Sequence, residues 1–558
     1  FDQLISAANA KGLRVILDGV FNHAGMDSVY IDKNKAQGGA CASAGSPQRS
    51  WFTAGSSGAV FGCAGGWGWK GWYGYATLPE FVDESSGVRD LFFRGGAAGA
   101  PAGKSVSQFW QEKGIAGWRY DVAQDITHNF FQAMRPYVKG SNASGTVYGD
   151  SEQLMLGEVT GGCDWYLYQS YINGGELDSV MNYCFRDWAT GFGNGDGPSQ
   201  FDTKYNQFRA LFPVSAWKGF MNLISTHDSP RMLHLLSGDK SKLKLVTLLQ
   251  FTLPGAPSIY YGDEVGMSGG SDPDNRRTFP WPDINGGVNG QGDTYDVAIY
   301  QHFKTLLGIR NSYSALRGGD VQTLLVNDAS GLYSYLRSDA SHKLIVVLNN
   351  KTTAATATVP VGGLFPDGSV FTDLLNTGTQ HSPQVSYTVA NGQLVAPVDG
   401  QWGRILLLTS GPLAVNLASF AAQPQGDGVL VSWETVSDLD NAGFNLYRGV
   451  DETGPGQQLN SELIPAQAPG STGGFLYTWE DRAGLVAGTT YRYWVEDVSL
   501  SGATTLHGPV SATVDAPTAV TLSGVQASPA AGAAAVPLAG ALLALLAPLA
   551  AVALRRRA

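Results

Sequence analysis

The sequence has little charge: Asp, Glu, Lys and Arg make up only 15% of its 558 residues, where about a quarter is usual. The charges that are present give a net charge of -11. This argues against nucleic acid as a partner, because a protein that binds phosphates needs a basic surface. Uncharged polymers such as sugars remain possible partners. Hydrophobic residues reach 43%, which is enough for real cores and excludes wholesale disorder.

Cysteine is also scarce, and none of the four forms a Cys-x-x-Cys pair. A zinc site or a thioredoxin-type site is therefore not indicated. Two pairs lie close in sequence, Cys41 with Cys63 and Cys163 with Cys184, and disulfides between them would suit an oxidising compartment. Four unrelated buried thiols are the alternative. The 72 glycines and 11% aromatic residues are typical of the long loops of secreted proteins.

The two ends of the chain differ in character. The chain begins with Phe1, not Met, and shows no signal peptide. Near the other end, residues 533–554 carry no charge and are followed by arginines at 555–557. An apolar run of about 20 residues can cross a bilayer, with the arginines on the cytoplasmic side. We therefore predict a transmembrane or sorting tail at 533–558 and an extracellular or cell-surface location. A buried core helix is the alternative.

Residues 1–315 alternate short apolar strands with amphipathic helical stretches, which predicts a parallel sheet, open or closed. An insertion at about 24–103 follows the first strand and is too long for a simple connection. Its aromatic residues favour a small lobe over a disordered linker. The six predicted strands are Val15–Phe21, Trp118–Val122, Leu154–Val159, Ser179–Tyr183, Met221–Thr226 and Pro257–Gly262.

The pattern changes after the predicted sheet to short alternating strands separated by turns. Residues 316–411 predict a β-sandwich. A second β-rich block at 412–515 resembles a fibronectin type III module, a fold that more often serves binding or spacing than chemistry. Residues 516–532 are a linker of small residues that leads to the tail.

Polar residues stand at the carboxyl ends of four predicted strands, where a core has no use for them. In GWRYDVA, Arg119 and Asp121 share one strand face, and a buried charge pair usually costs more in desolvation than it returns. The carboxyl ends of parallel strands are where a barrel enzyme keeps its active site. The polar residues at these strand ends are Asp18, Asn22, His23, Arg119, Asp121, Glu158, His227 and Asp228.

The stretches DGVFNH, GWRYDVA, GEV and THD resemble, in order, the four short motifs of the α-amylase family of glycoside hydrolases. The resemblance covers about residues 1–410. GELDSVMNYCF, HDSPRML and GAPSIYYGDEVGMSGGSDPDNRR are most similar to the cyclomaltodextrinase, neopullulanase and maltogenic amylase group. Two stretches depart from that group and leave the specificity open. Gln124-Asp125 replaces Asn-Glu, and Leu78-Pro79-Glu80-Phe81 replaces Pro-Lys-Leu-Asn.

The resemblance implies a (β/α)8 barrel and a chemistry. Retaining hydrolysis uses two carboxyl groups about 5–5.5 Å apart, one nucleophilic and one protonated. Asp121 is then the nucleophile, Arg119 its electrostatic partner, Glu158 the acid and base, and Asp228 a third catalytic carboxylate. Asp18 would support Arg119 from inside the barrel. The implied substrate contacts are Asn22, His23, Arg119, His227, Asp272 and Arg276, and for the last two a solvated turn is an equal alternative.

The sequence therefore predicts a retaining hydrolase of α-1,4-linked glucans or cyclodextrins, with α-1,6 action allowed. A transglycosylase on the same substrates and a catalytically inactive carbohydrate-binding protein are the alternatives. The chemistry needs no cofactor. Calcium is common in the family, but the sequence does not identify its ligands. The run GGWGWKGWYGY either stacks on sugars or packs inside the lobe.

The resemblance also implies that the barrel is incomplete. The family barrel has eight strands, and its third strand ends in the DGVFNH-type motif. Here the helix before that strand begins at residue 1. We therefore expect the first two strands to be missing and the chain to be a fragment of a longer secreted protein. An open sheet exposes two strand edges, so we expect the chain alone to be insoluble or inactive.

Overall fold

The computed structural model describes most of the chain up to residue 514. The predicted linker and the predicted tail at 533–558 lie outside the described residues. None of the helices that are described combines the length and the apolar character needed to cross a bilayer. The residues not described are 35–36, 56–62, 64–65, 98–102, 141–150, 160–161, 376–385, 411–414, 416, 439–440, 452–453, 470, 472, 501–503 and 515–558.

A curled six-stranded parallel sheet forms the centre of the N-terminal part, with the strands in sequence order. All six predicted strands are confirmed, although each is shorter than predicted. β1 and β6 are the two edges of this half-barrel. The strands are β1 Ile16–Gly19, β2 Gly117–Tyr120, β3 Leu154–Gly157, β4 Ser179–Asn182, β5 Met221–Leu223 and β6 Ala256–Ser258.

Helices connect these strands and cover the outer face of the sheet. Thr127, Asp164, Asn182, Asp239 and Asp296 each precede a helix and accept a hydrogen bond from a backbone N–H of its first turn, which fixes where the helix begins. The helices are α1 Asp2–Ala10, α2 Ser86–Arg89, α3 Val106–Glu112, α4 His128–Val138, α5 Trp165–Asn173, α6 Tyr183–Gly193, α7 Pro198–Arg209, α8 Val214–Trp217, α9 Met232–Leu235, α10 Lys240–Thr252, α11 Pro282–Asn285, α12 Val297–Ser312 and α13 Ser314–Gly318.

The two faces of the half-barrel have different characters because side chains alternate along each strand. Trp118 and Tyr120 of β2 face outward and join the large core beneath the helices. On the concave face, Asp18 of β1 is the register partner of Arg119, and Arg119 is the partner of Leu156. Deeper in the concavity, Leu156 packs in a small apolar cluster with residues of β4 and β5. The charged residues therefore share the inner face with a small apolar floor.

The segment after β1 folds back over the carboxyl end of the sheet. A disulfide joins Cys41 to Cys63, as the sequence predicts. Trp51, Phe52 and Trp69 are buried in this segment. Short helical turns at Pro47–Trp51 and Trp72–Gly74, and isolated bridges such as Phe52 with Phe81, organise it.

Two regions of β-sheet follow. In the first, a six-stranded and a two-stranded sheet enclose one apolar core, and in the second a three-stranded sheet packs on a five-stranded one. The strands are β7 Asp320–Asn327, β8 Leu332–Ser338, β9 Lys343–Asn349, β10 Ala355–Pro360, β11 Val370–Asp373, β12 Ser386–Thr388, β13 Gln393–Val398, β14 Trp402–Ser410, β15 Leu417–Gln425, β16 Gly428–Thr435, β17 Asn441–Gly449, β18 Gln457–Gln458, β19 Ile464–Pro465, β20 Leu476–Asp481, β21 Thr490–Ser499 and β22 Thr504–Thr513.

The first of these β-regions is packed firmly against the helices of the half-barrel. Tyr333 donates a hydrogen bond of 3.0 Å to Asp202 of α7. The side chain of Asn350 donates to the carbonyl oxygens of Phe192 and Asp196, at 3.1 and 2.7 Å. The half-barrel and this β-region therefore share a polar interface as well as an apolar one, since Tyr333 and Leu344 belong to the core beneath the helices.

Candidate active site

The guanidinium of Arg119 contacts carboxylates from three consecutive strands. Its Nη1 donates hydrogen bonds of 2.7 Å to Asp18 and of 2.7 Å to Asp121. Its Nη2 lies 2.6 Å from Oε2 of Glu158, an ion-pair contact that lacks the angle of a hydrogen bond. Burial alone would lower the pKa of Arg119, but the charges of Glu158, Asp18 and Asp121 together raise it. The buried pair predicted in GWRYDVA is therefore the centre of a larger cluster.

Glu158 is the most enclosed carboxylate of this cluster, with its side chain only 3% exposed. It directly follows β3. Burial raises its pKa, while the charge of Arg119 opposes the rise and that of Asp121 adds to it. The N–H of Val122 donates to Oε2 at 3.2 Å, and the hydroxyl of Tyr183 donates to Oε1 at 3.0 Å. Burial that raises the pKa of a carboxyl group favours its protonated form, which a general acid needs if it is to give a proton to a leaving group.

The backbone between these two carboxylates is strained. Val122 has φ 40° and ψ 49°, the left-handed conformation that β-branched residues avoid. This conformation turns the chain directly after Asp121, so that the N–H groups of Val122 and Ala123 both point at Glu158, one at its side chain and one at its carbonyl.

The loop after β5 brings a second charged group to the same edge of the sheet. His227 Nε2 lies 2.9 Å from Oδ2 of Asp228, and Nη2 of Arg276 donates to Oδ1 of Asp228 at 3.0 Å. The hydrogen bond from His227 lowers the pKa of Asp228, with a further contribution from Arg276. The same bond raises the pKa of His227. Asp228 is therefore held in its charged form.

Arg276 and Asp272 are linked to this group by ion pairs. Nε of Arg276 lies 2.9 Å from Oδ1 of Asp272 and also donates to the carbonyl oxygen of His227 at 2.9 Å. Both side chains are about half exposed. The structure thus places Arg276 between Asp272 and Asp228, while a contact of either with substrate stays a prediction.

Asn22 and His23 lie on the loop after β1. Asn22 is buried, and its side-chain amide lies 3.4 Å from Nδ1 of His23. Burial lowers the pKa of His23, against the nearby charge of Asp121, which raises it. The ring of His23 stacks on Trp72, with centroids 4.8 Å apart and planes at 17°. His23 is thus held neutral and in a fixed plane beside the carboxylate cluster.

Two further residues of the site were not singled out by the sequence motifs. Tyr183 follows β4 directly, so the strand-end argument applied to the fourth strand would have found it. Asn275 is fully buried, and its amide donates to the carbonyl oxygens of Thr226, His227 and Ser229, at 3.2, 2.7 and 3.0 Å. Only its position next to Arg276 could have pointed to Asn275.

Metal binding is not apparent in this cluster. In the part of the chain that the structure describes, no three or more His, Cys, Asp or Glu side chains are grouped so that they could hold a metal ion. A calcium site therefore stays a prediction without assigned ligands.

Comparison with known proteins agrees with this geometry. Residues 1–319 match the family described as alpha amylase, catalytic domain. Neopullulanase 2 of Thermoactinomyces vulgaris is 30% identical over 400 residues, which cover 69% of this chain and 59% of that protein. An amylopullulanase of Thermoanaerobacterium thermosulfurigenes is 30% identical over 555 residues, covering 90% of this chain and 27% of that protein. The chain therefore spans only part of the length of these relatives.

Solved structures give the same result. The debranching enzyme of Nostoc punctiforme has a TM-score of 0.57 and 29% identity, covering 73% of this chain and 78% of that one. A cyclomaltodextrinase has a TM-score of 0.59 and 26% identity, covering 73% of this chain and 62% of that one. The family match agrees with the half-barrel and with the carboxylate cluster at its carboxyl edge. This chain belongs to the α-amylase family of glycosidases.

Proposed function

We propose that this protein is a retaining glycoside hydrolase that cleaves α-1,4-glucosidic bonds, and α-1,6 bonds as well, in starch-derived oligosaccharides, pullulan or cyclodextrins. The observation that carries the proposal is the single guanidinium of Arg119 in contact with both Asp121 and Glu158. It gathers the two carboxyl groups that double displacement requires on one side of a concave sheet.

In the first step, Asp121 attacks the anomeric carbon and forms a covalent glycosyl-enzyme ester. The bond to the leaving oxygen breaks at the same time, and Glu158 gives that oxygen its proton. The burial that raises the pKa of Glu158 supports this role, because the acid must be protonated at the start. Arg119, which contacts Asp121 directly, holds this carboxylate in place beside Glu158.

In the second step, Glu158, now a carboxylate, takes a proton from water while the water oxygen attacks the anomeric carbon. The ester to Asp121 breaks, Asp121 leaves as a carboxylate, and Glu158 is protonated again. Each step inverts the configuration at the anomeric carbon, so the product retains the configuration of the substrate. A sugar hydroxyl in place of water would give transglycosylation by the same path.

Asp228 and the two histidines would act on the sugar itself. Asp228 is charged and paired with Arg276, which suits a group that holds sugar hydroxyls and stabilises an oxocarbenium-like transition state. The names of the relatives guide the choice of substrates. They include neopullulanase and cyclomaltodextrinase, and the Nostoc punctiforme enzyme was also studied after soaking with acarbose.

The test is to incubate the purified protein with maltoheptaose, pullulan and β-cyclodextrin and to identify the products, with Asp121→Asn as the inactive control. Proton NMR of the first product formed should show the α-anomer. Release of the β-anomer first would refute retention. Products longer than the substrate at high concentration would identify a transglycosylase. No products from any of the three, even after an N-terminal segment that supplies two further barrel strands is added, would refute the proposal.

We also propose that the protein works outside the cytoplasm. The two disulfides, Cys41–Cys63 and Cys163–Cys184, support this location because such bonds persist in oxidising compartments. Fractionation of the producing cells, with thiol labelling before and after reduction, tests it. Free thiols in a cytoplasmic fraction would contradict the proposal.

A further inference from the structure

The tryptophan-rich run of the segment after β1 divides into two functionally different parts. Trp69 is only 2% exposed and donates its indole hydrogen to the carbonyl oxygen of Ala76 at 2.8 Å. Trp67 packs on Trp69, with centroids 6.1 Å apart, and Arg49 lies over its ring. These two tryptophans hold the segment together. Trp72 is different, because its ring lies against His23 of the carboxylate cluster.

Trp72 is fixed from a second direction by Asp125. The indole N–H of Trp72 donates a hydrogen bond of 2.7 Å to Oδ2 of Asp125, which lies 53 positions further along the chain. Asp125 ends the short turn Ala123–Asp125 that follows Asp121 and Val122. Trp72 therefore bridges the loop that carries His23 and the loop that carries Asp121.

Beyond Trp72 the aromatic surface continues into solvent. The ring of Tyr73 packs edge-on against Trp72, with centroids 5.0 Å apart, and Tyr73 is 80% exposed. An aromatic side chain left so exposed forgoes most of the stabilisation that its burial would give. The rings of His23, Trp72 and Tyr73 form a series that runs from the buried site to its rim. Because the planes of Trp72 and Tyr73 lie at 68° to each other, the two rings present their faces in different directions, which suits two successive pyranose units of a curved glucan chain.

We propose that Trp72 and Tyr73 form a stacking platform for the glucose units next to the bond that is cleaved. Asp125 is the positioning residue that anchors Trp72. The platform makes the enzyme favour longer glucan chains, because a substrate with a single sugar unit cannot reach it. This inference rests on the proposed function, since it takes His23 to face the sugar at the cleaved bond.

The experiment compares a long and a short substrate in the full chain, extended by an N-terminal segment that supplies two further barrel strands. The ratio of kcat/KM for maltoheptaose to kcat/KM for α-glucosyl fluoride is measured in each variant. Trp72→Ala should lower this ratio about tenfold, the loss expected when one aromatic ring no longer covers a ligand. Tyr73→Ala should lower it less. Tyr166→Ala is the control, because Tyr166 is 76% exposed and lies in the first turn of α5, a different element from the segment that carries Trp72.

The role of Asp125 in positioning Trp72 is tested by comparing disruptive with conservative substitutions. Asp125→Ala removes the acceptor and should lower the ratio as Trp72→Ala does. Asp125→Asn keeps an oxygen acceptor and should recover most of the loss. Trp72→Phe keeps an aromatic ring but lacks the indole N–H, so its ratio should lie between that of Trp72→Ala and that of the wild type. A purely structural role of Asp125 would change both substrates equally and would show no such order.

A binding measurement separates this inference from the proposed function. Calorimetry with maltoheptaose is carried out in the Asp121→Asn background, where no turnover is expected, with and without Trp72→Ala. A tenfold weaker Kd on loss of Trp72 supports the platform even if the wild type hydrolyses nothing. If Trp72→Ala changes neither the Kd nor the ratio while the wild type hydrolyses maltoheptaose, the platform is overturned and the proposed function is kept. If the wild type neither binds nor hydrolyses maltoheptaose, both the stacking platform and the proposed function are overturned.

Discussion

The hydroxyl of Tyr183, at the end of the fourth strand, donates a hydrogen bond to Glu158, at the end of the third, across 3.0 Å. This bond lowers the pKa of Glu158, against the burial that raises it. A hydrogen bond to a carboxylate favours its charged form. Tyr183 therefore limits how far burial can raise the pKa of the acid.

Replacing Tyr183 by Phe should shift the alkaline limb of the pH profile upward. The first step needs protonated Glu158, so activity falls as pH rises through its pKa. Loss of the hydrogen bond leaves burial less opposed and raises that pKa further. The measurement is kcat/KM for maltoheptaose against pH. Tyr166→Phe serves as control, and a limb that moves to lower pH would show that Tyr183 acts in another way.

Asp121 and Glu158 should differ in how much their replacement depends on the leaving group of the substrate. Asp121→Asn should abolish turnover of every substrate, because no ester can form. Glu158→Gln should reduce hydrolysis of maltoheptaose by roughly 10²–10⁴-fold, the usual contribution of a general acid. It should still allow the first step with α-glucosyl fluoride, whose leaving group needs no proton. The two variants are compared by steady-state and burst kinetics.

Near-native activity of Glu158→Gln on maltoheptaose would refute the assignment of the acid. Full activity of Asp121→Asn on the fluoride would refute that of the nucleophile. Circular dichroism of both variants checks that the fold is kept, because each change removes a partner of Arg119.

Asn275 should matter for both stability and catalysis. Its buried amide serves three carbonyl oxygens of the loop that carries His227 and Asp228. Asn275→Ala leaves these acceptors without that donor, and we expect the free energy of unfolding to fall by about 1–3 kcal/mol. We also expect a lower kcat, because Asp228 loses its fixed position. Denaturant unfolding and steady-state kinetics measure the two effects.

Asn285→Ala is the control for this prediction. Asn285 is exposed and donates a single hydrogen bond, of 3.4 Å, to the carbonyl oxygen of Phe279. Its replacement should change stability very little. Equal effects of the two substitutions would mean that the Asn275 amide does not hold the loop.

The two disulfides offer a matched pair, since they close loops of almost equal length, with separations of 22 and 21 residues. Replacing either pair by serines should therefore destabilise the fold by a similar amount, about 3 kcal/mol. Only the loss of Cys163–Cys184 should also change the pH profile, because Cys184 directly follows Tyr183. Thermal unfolding and kcat/KM against pH are the measurements. Equal pH profiles in the two serine variants would contradict the prediction.

The sheet and its charged edge could be predicted because both follow from periodic patterns. Apolar runs separated by helical stretches predict parallel strands, and Asp121 and Glu158 follow their strands directly in the sequence. The predicted strand Val15–Phe21 was too long, since the chain leaves the ladder after Gly19 to enter the following segment. Strand-end polarity thus carries most of the information about the central carboxylates.

Loop contacts could not be predicted in the same way. Trp72 meets Asp125 across 53 positions, and Asn275 meets Thr226 across 49. Neither pair follows a helical or strand period, so no local pattern links its members. The turn in which Arg276 contacts both Asp272 and Asp228 is a similar case, and its two interpretations could not be separated from the sequence.

Val122 has a consequence for attempts to improve this enzyme. Its left-handed backbone costs about 1–2 kcal/mol relative to an ordinary conformation, and glycine at that position would relieve the cost. The same glycine would free the peptide that Glu158 relies on for its hydrogen bond. The Val122 side chain is also buried, so glycine would lose about as much burial free energy as the strain it relieves. A library randomised at this residue should therefore keep valine under selection for turnover and gain little from glycine under selection for heat resistance.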